Sequence, residues 1–205
     1  MARALTVSDL INKKYKLFEF DGEWYEAFKR PEKYGVWFIW GQSGNGKSTF
    51  VLMLLKYLTR FGKVLYNSME EAAAHTMQEA YIRTGMMDVD GKILLLERES
   101  IEDLDRRLSK QRSADIVAID SFQYSGLNWD RYKKLKEKYP HKLFIFISHA
   151  DGKEPEGRPA KRVHFDATLK IRVEGYRAIS KGRYIGPNGG IFTIWPEGAA
   201  KYWGE

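Results

Sequence analysis

Val36-Trp37-Phe38-Ile39-Trp40-Gly41-Gln42-Ser43-Gly44-Asn45-Gly46-Lys47-Ser48-Thr49 is the stretch from which the rest of the chain can be read. Its first five residues are all apolar, which suits a β-strand covered on both faces. From Gly41 to Ser48 the sequence matches G-x-x-x-x-G-K-[ST]. Glycines at 41, 44 and 46 let the backbone curl until several N–H groups point into one hollow. The hollow sits on the N-terminus of a helix expected from Ser48, whose dipole favours an anion. Lys47 is placed to reach the outer phosphates of a nucleotide, and the Ser48 hydroxyl to ligate Mg²⁺. Gln42, Ser43, Asn45 and Thr49 complete the expected cradle, and ATP with Mg²⁺ is the expected occupant. A strand before and a helix after distinguish this loop from a glycine-rich turn that binds nothing.

Outward from that loop the pattern is strand, helix, strand. The helix from Ser48 to Arg60 is apolar nearly all round. Val64–Asn67, Ile93–Leu96, Asp115–Asp120 and Leu143–Ser148 are further apolar runs, with a strand also expected near Thr168–Val173. Between them lie helices expected from Glu70 to Thr84, stopped by Gly85; from a Ser100 cap through Ile101, Leu104 and Leu108; and through Trp129, Tyr132, Leu135 and Tyr139 to Pro140. Two runs split by Gly186-Pro187-Asn188-Gly189-Gly190 read as a β-hairpin. The sum is an α/β fold: a mostly parallel central sheet, helices on both faces and a C-terminal β-hairpin. Residues 1–35, with Tyr15, Phe18, Phe20, Trp24, Tyr25 and Phe28, are read as an N-terminal extension packed on a core of residues 36–205.

Asp120 closes the apolar run Ile116–Ile119, so its carboxylate emerges at the carboxyl edge of the sheet, where ligands sit in open α/β folds. It is the expected second holder of magnesium beside Ser48. The plainer alternative is a strand-end carboxylate capping a turn. Hydrolysis also needs a group that orients or deprotonates water. Ser121 follows Asp120, so an Asp-Glu pair is absent there, and Glu70, just past the second strand, takes that role. The alternative for Glu70 and Glu71 is the first turn of the next helix, where acids are favoured anyway.

These motifs, taken in order, resemble the RecA-like ATPases, and more closely the DnaB-type replicative helicases. Val64-Leu65-Tyr66-Asn67-Ser68-Met69-Glu70-Glu71 resembles the strand end that carries their catalytic glutamate, and Ile116–Gln123 resembles their Walker B motif. His149 falls where that family carries a polar sensor of the γ-phosphate. Ser180-Lys181-Gly182-Arg183 resembles a Lys-x-Arg pair that reaches a neighbour's ATP site, which implies that hydrolysis needs an oligomer, a ring or a filament. His149 as a backbone-bonded strand-end histidine, and Lys181 and Arg183 as ordinary hairpin charges, remain the plain alternatives. The likeness spans roughly residues 36–195. One core of this length, without a primase-binding domain, is also similar to shortened phage RecA-type recombination proteins.

In that family the loop after the fifth strand binds single-stranded DNA. Here the corresponding stretch holds Lys153, Arg158, Lys161 and Arg162, with Gly152, Gly157 and Pro159 expected to keep it irregular. A second basic cluster, Arg131 to Lys142, reads as a solvated helix face. The resemblance implies an ATPase acting on single-stranded DNA in phage or bacterial replication or recombination. A single-strand-binding or replication protein is a further expected partner, and the cytoplasm of a bacterium or infected host the expected setting. The alternative is a nucleotide-gated loader that docks a protein partner through its aromatic N-terminal extension.

Composition narrows the field from the other side. The 205 residues contain no cysteine, which excludes disulfides, thiol nucleophiles and cysteine zinc sites. The four histidines lack zinc-ligand spacing. No apolar run approaches the roughly 20 residues that span a bilayer, and Met1–Thr6 lacks the apolar block of a secretory signal, so no membrane partner is expected. The excess of 34 Lys and Arg over 27 Asp and Glu permits a polyanionic partner. An Asn-Lys-x-Asp base reader and an arginine-rich lid are both missing, which argues against a GTPase and a nucleotide kinase.

Overall fold

Strands that are apolar at every position can be satisfied only by neighbours on both sides and cover on both faces, and the chain supplies both. The computed structural model describes residues 3–186 and 188–205. Its strands are β1 (Gly35–Trp40), β2 (Val64–Ser68), β3 (Ile93–Glu97), β4 (Ile116–Asp120), β5 (Leu143–Ser148), β6 (Ala150–Asp151), β7 (Glu154–Pro155), β8 (Leu169–Glu174), β9 (Arg177–Gly182) and β10 (Gly190–Thr193). Its helices are α1 (Val7–Ile11), α2 (Gly22–Phe28), α3 (Lys47–Leu58), α4 (His75–Arg83), α5 (Ile101–Leu108), α6 (Trp129–Lys138), α7 (Arg158–Asp166) and α8 (Pro196–Trp203). Eight strands form one sheet in the order β10-β9-β8-β1-β5-β4-β2-β3. The six from β8 to β3 run parallel, and β9 and β10 form the expected antiparallel hairpin at one edge. Pro187, in its turn, lies outside the described residues, as do Met1 and Ala2.

Side chains along β1 alternate between two apolar layers. Trp37 and Ile39 enter a layer with Phe28 of α2, Phe50 and Leu54 of α3, and Met77 of α4. Val36, Phe38 and Trp40 enter the opposite layer with Leu104 of α5, Tyr132 of α6 and Val163 of α7. That alternation is why the run carries no polar position. The N-terminal segment joins the first layer. Phe18, Phe20 and Phe28 are buried, and Phe18 meets Trp37 and Phe61 edge-on with centroids 5.6 and 5.3 Å apart. Trp24 stacks on Tyr57 at 4.7 Å, and Asp21 accepts from Tyr57 Oη (2.7 Å) and Arg60 (2.9 and 2.8 Å). Tyr15 and Tyr25 stay outside that layer.

Three local expectations are corrected. The helix expected from Glu70 starts at His75. Met69 and Glu70 donate their N–H groups to the Asp120 carbonyl, and Ala72, at φ 55°, donates to Ser68 Oγ, so this stretch bends rather than coils. The stretch after β5 is ordered, not irregular: β6 and β7 form a small antiparallel ribbon, and α7 follows. Pro159 sits in the first turn of α7, where a missing N–H loses nothing. The C-terminal segment adds α8 beyond the hairpin, again opened by a proline. On the basic face of α6, Arg131 is paired to Glu102, Lys136 to Asp166 and Lys138 to Asp105, while Lys133 and Lys134 are exposed.

If the N-terminal aromatics are part of the core, Phe18→Ala lowers unfolding free energy by about 3–5 kcal/mol. Leu5→Ala, at a site 62% exposed, changes it by less than about 0.5 kcal/mol. Urea denaturation of the two variants checks this; equal effects would contradict it.

Candidate functional site

Parallel pairing in register brings the ends of four strands to one sheet edge. Ser68 of β2 lies beside Asp120 of β4, Asp120 beside Ile147 of β5, and Ser148 of β5 beside Trp40 of β1. The chain leaving β1 forms the glycine loop, and the chains leaving β2 and β5 supply Glu70 and His149. Together they line a cleft of about 330 Å³ whose walls include Gln42, Ser43, Gly44, Gly46, Lys47, Ser48 and Thr49 on one side and Glu70, Asp120 and His149 on the other.

The loop is held from behind. A side chain at Gly41 would place its Cβ 2.3 Å from the Val173 carbonyl oxygen of β8, so only glycine fits. Asn45 turns its side chain away from the cleft. Its Oδ1 accepts from Gly175 N at 2.8 Å and its carbonyl from Tyr176 N at 3.2 Å, pinning the loop to the β8–β9 turn. Gly41 and Asn45 therefore brace the cradle, while the residues between and after them face it.

Asp120 is buried at the floor of the cleft, and Tyr66 Oη donates to its Oδ2 at 2.7 Å. Burial pushes its pKa above 3.8; the Lys47 ammonium and the Tyr66 hydroxyl pull the other way. The same low-dielectric surroundings lift the Tyr66 phenol well above its ordinary value, so it stays a donor. The Asp120 carboxylate and Ser48 hydroxyl present only oxygen ligands, beside a cationic lysine and a loop of backbone donors. That set fits Mg²⁺ brought in on a nucleotide's phosphates. Tyr66 has no motif to flag it, yet a tyrosine inside a buried strand must find a partner for its hydroxyl.

Glu70 and His149 meet across the cleft, Oε2 to Nε2 at 3.0 Å, and the same Nε2 lies 3.2 Å from Ser121 Oγ. His149 N donates to Gln123 Oε1 at 3.3 Å. Gln123 Nε2 donates to Ser148 Oγ at 2.8 Å and to the Glu156 carbonyl at 3.0 Å. Glu156 N returns to the His149 carbonyl at 3.0 Å. This chain of bonds ends one residue before Gly157, the residue that opens α7.

The other residues singled out from sequence lie elsewhere. Lys153 is in the β6–β7 turn, where its carbonyl accepts from Trp40 Nε1 at 3.0 Å. Arg158, Lys161 and Arg162 are on α7, all exposed, with Phe165 completing the same outer stripe at 85% exposure. Arg162 lies over the Trp129 ring at 4.6 Å. Lys181 pairs with Lys170 near the start of β8, and Arg183 follows in the turn. Both are at the sheet edge opposite the glycine loop, out of reach of their own cleft.

Among solved structures, the flagellar accessory protein FlaH of Methanocaldococcus jannaschii superposes with a TM-score of 0.59 at 15% identity, covering 87% of this chain and 93% of its own. A KaiC-like protein of Pyrococcus horikoshii OT3 gives 0.57 at 15% identity, covering 87% and 98%. No family model and no curated protein matches the sequence. At this identity the likeness is one of fold, and the fold is RecA-like. No described helix is long and apolar enough to cross a membrane.

Since the folded state raises the Asp120 pKa above 3.8, the native protein binds that proton more tightly than the unfolded chain. Stability therefore falls as pH rises through the window above 3.8, and the deficit persists at neutral pH. Asp120→Asn, measured without divalent cation, is expected to unfold at higher urea than the wild type at pH 7, with the gap closing in acid. A lower midpoint at pH 7 would contradict the buried, destabilised carboxylate.

Proposed function

We propose that the chain is a Mg²⁺-dependent ATPase that acts on single-stranded DNA as an oligomer, in strand annealing, strand handling or helicase-like movement during phage or bacterial replication or recombination. The observation that carries this reading is the Glu70–His149 contact inside the glycine-loop cleft, continued by hydrogen bonds to the start of a basic, aromatic-tipped helix. Such a connection is what a nucleotide-driven grip on a polyanion requires.

Backbone N–H groups of the loop and the N-terminus of α3 hold the phosphates, and Lys47 neutralises the outermost. Ser48 and Asp120 would hold Mg²⁺, which when bound offsets charge on the β- and γ-phosphates. The Glu70 carboxylate accepts a proton from the attacking water as its oxygen bonds to the γ-phosphorus and the bond to the β-phosphate oxygen breaks. His149, hydrogen-bonded to Glu70, registers whether the γ-phosphate is present. Gln123 and Glu156 pass a shift of His149 to α7. Lys181 and Arg183, remote from their own cleft, act on a second copy's phosphates, so a head-to-tail assembly completes the site.

On α7, Arg158, Lys161, Arg162 and Phe165 stand at i, i+3, i+4 and i+7, one solvent-facing stripe. Cations that track phosphates, with an aromatic ring on which a base can stack, suit single strands of any sequence. Lys153, exposed in the β6–β7 turn, adds a further cation for the same strand. The second reading, a nucleotide-gated loader, is favoured by the N-terminal arm, where Leu5, Val7, Leu10 and Ile11 are all exposed; a protein partner covering them explains their composition.

Steady-state ATP hydrolysis with and without oligo-dT separates the two. The DNA-acting ATPase is stimulated several-fold, and the stimulation fades between about 50 and about 200 mM salt. Replacing Arg158, Lys161 and Arg162 together by alanine removes the stimulation, and Lys47→Ala removes turnover altogether. An unchanged rate with DNA at both salt levels supports the loader instead.

A further inference from the structure

Glu70 stands on a stretch that is neither strand nor helix, between the end of β2 and the start of α4. A carboxylate that must meet a water molecule in one geometry needs that backbone held, because a small misplacement costs rate steeply. Part of the hold comes from β4, whose Asp120 carbonyl accepts from Met69 N and Glu70 N. The Glu70 carbonyl is taken by a different element: Arg98 Nη2, from the turn after β3, donates to it at 3.1 Å.

That arginine is set in a conformation it would not choose. It adopts φ 53°, in the left-handed region that favours glycine. Its neighbours hold it there. Arg98 N donates to the Ser68 carbonyl at 3.0 Å. The next residue is clamped by the buried amide of Asn67 on β2: Asn67 Nδ2 donates to the Glu99 carbonyl at 2.7 Å, and Glu99 N donates to Asn67 Oδ1 at 3.1 Å. Arg107 of α5 then binds the Glu99 carboxylate, Nη2 to Oε2 at 2.8 Å. For turning the chain alone, glycine would serve better at this position. What arginine adds is a side chain long enough to reach the Glu70 carbonyl. Strain fixed from both sides, beside a reactive group, is where a role in function is to be sought. Arg98 is not among the residues that line the cleft, so the contact it makes is with the loop and not with the phosphates.

Resting on the reading of Glu70 as the group that takes the proton from water, we propose that Arg98 is a positioning residue for hydrolysis. By binding the Glu70 carbonyl it sets where the Glu70 carboxylate stands in the cleft. Asn67 acts one step further back, by holding the turn from which Arg98 reaches.

The test is single-turnover ATP hydrolysis and Mg·ATP affinity of the full chain, with Arg98 changed alone and together with Glu70. Arg98→Ala is expected to keep its affinity within about twofold and to hydrolyse about tenfold more slowly. Arg98→Lys, which keeps a cationic donor, recovers the rate to within about threefold of the wild type. Arg98→Gly relieves the strain at φ 53° and unfolds at higher urea than Arg98→Ala, yet hydrolyses as slowly. In a Glu70→Gln background Arg98→Ala slows hydrolysis by less than about twofold further, because the group it positions is already gone. A wild-type rate for Arg98→Ala, the same tenfold loss in the Glu70→Gln background, or a rate in Arg98→Gly that recovers with stability would each overturn the inference alone. Hydrolysis by Glu70→Gln at the wild-type rate overturns the reading of Glu70, and this inference with it.

Discussion

Everything at the candidate site depends on the register of four buried parallel strands. β1, β5, β4 and β2 are paired without a slip, so Trp40, Ser148, Asp120 and Ser68 end at one level. Because side chains alternate across a sheet, a shift of one residue in β4 would send Asp120 into an apolar layer and Ile119 into the cleft. Register is enforced by burial on both faces, where Val117 and Ile119 enter one layer and Ile116 and Ala118 the other. The site's precision is thus inherited from the core, and the loops need only carry Lys47, Glu70 and His149 a short distance beyond the strand ends.

The same arrangement concentrates charge where the fold can least easily hold it. Asp120 is buried, faces Lys47 and is crowded by Glu70 and Glu71. Tyr66 relieves part of this by donating one hydrogen bond from within the neighbouring strand. A site of this kind is destabilising when empty and is stabilised by what it binds, which is the usual relation between function and fold stability. Rigid bracing appears on the opposite side of the loop, where Gly41 packs on the Val173 carbonyl and Asn45 holds the β8–β9 turn. The loop's conformation is set by these contacts before any ligand arrives.

How much of this was legible in sequence differs by element, for physical reasons. The strands of the central sheet were plain because a continuous apolar run such as Leu143–Ile147 has few other uses. The glycine loop was plain because its spacing reflects backbone geometry. The start of α4 was misread: Glu70-Glu71-Ala72-Ala73-Ala74 has strong helix propensity, and the hydrogen bonds that override it come from Asp120 and Ser68, distant in sequence or aimed backwards. α7 was missed because its buried side is only Ala160 and Val163, with Ala167 just beyond, too slight a pattern beside Gly157 and Pro159. α8 was missed because the glycine-rich turn before it suggested only a hairpin. Tyr66 and Tyr176 carry no motif at all; their importance comes from what surrounds them.

The account stands on a nucleotide's phosphates being held by one strand end while the acid from another acts on them. Single-turnover hydrolysis of ATP by Glu70→Gln, measured beside its affinity for Mg·ATP, tests that division of labour directly. The expected result is retained affinity with hydrolysis slowed by about 10²- to 10⁴-fold. A variant that hydrolyses ATP at the wild-type rate, or loses affinity in step with rate, would contradict it.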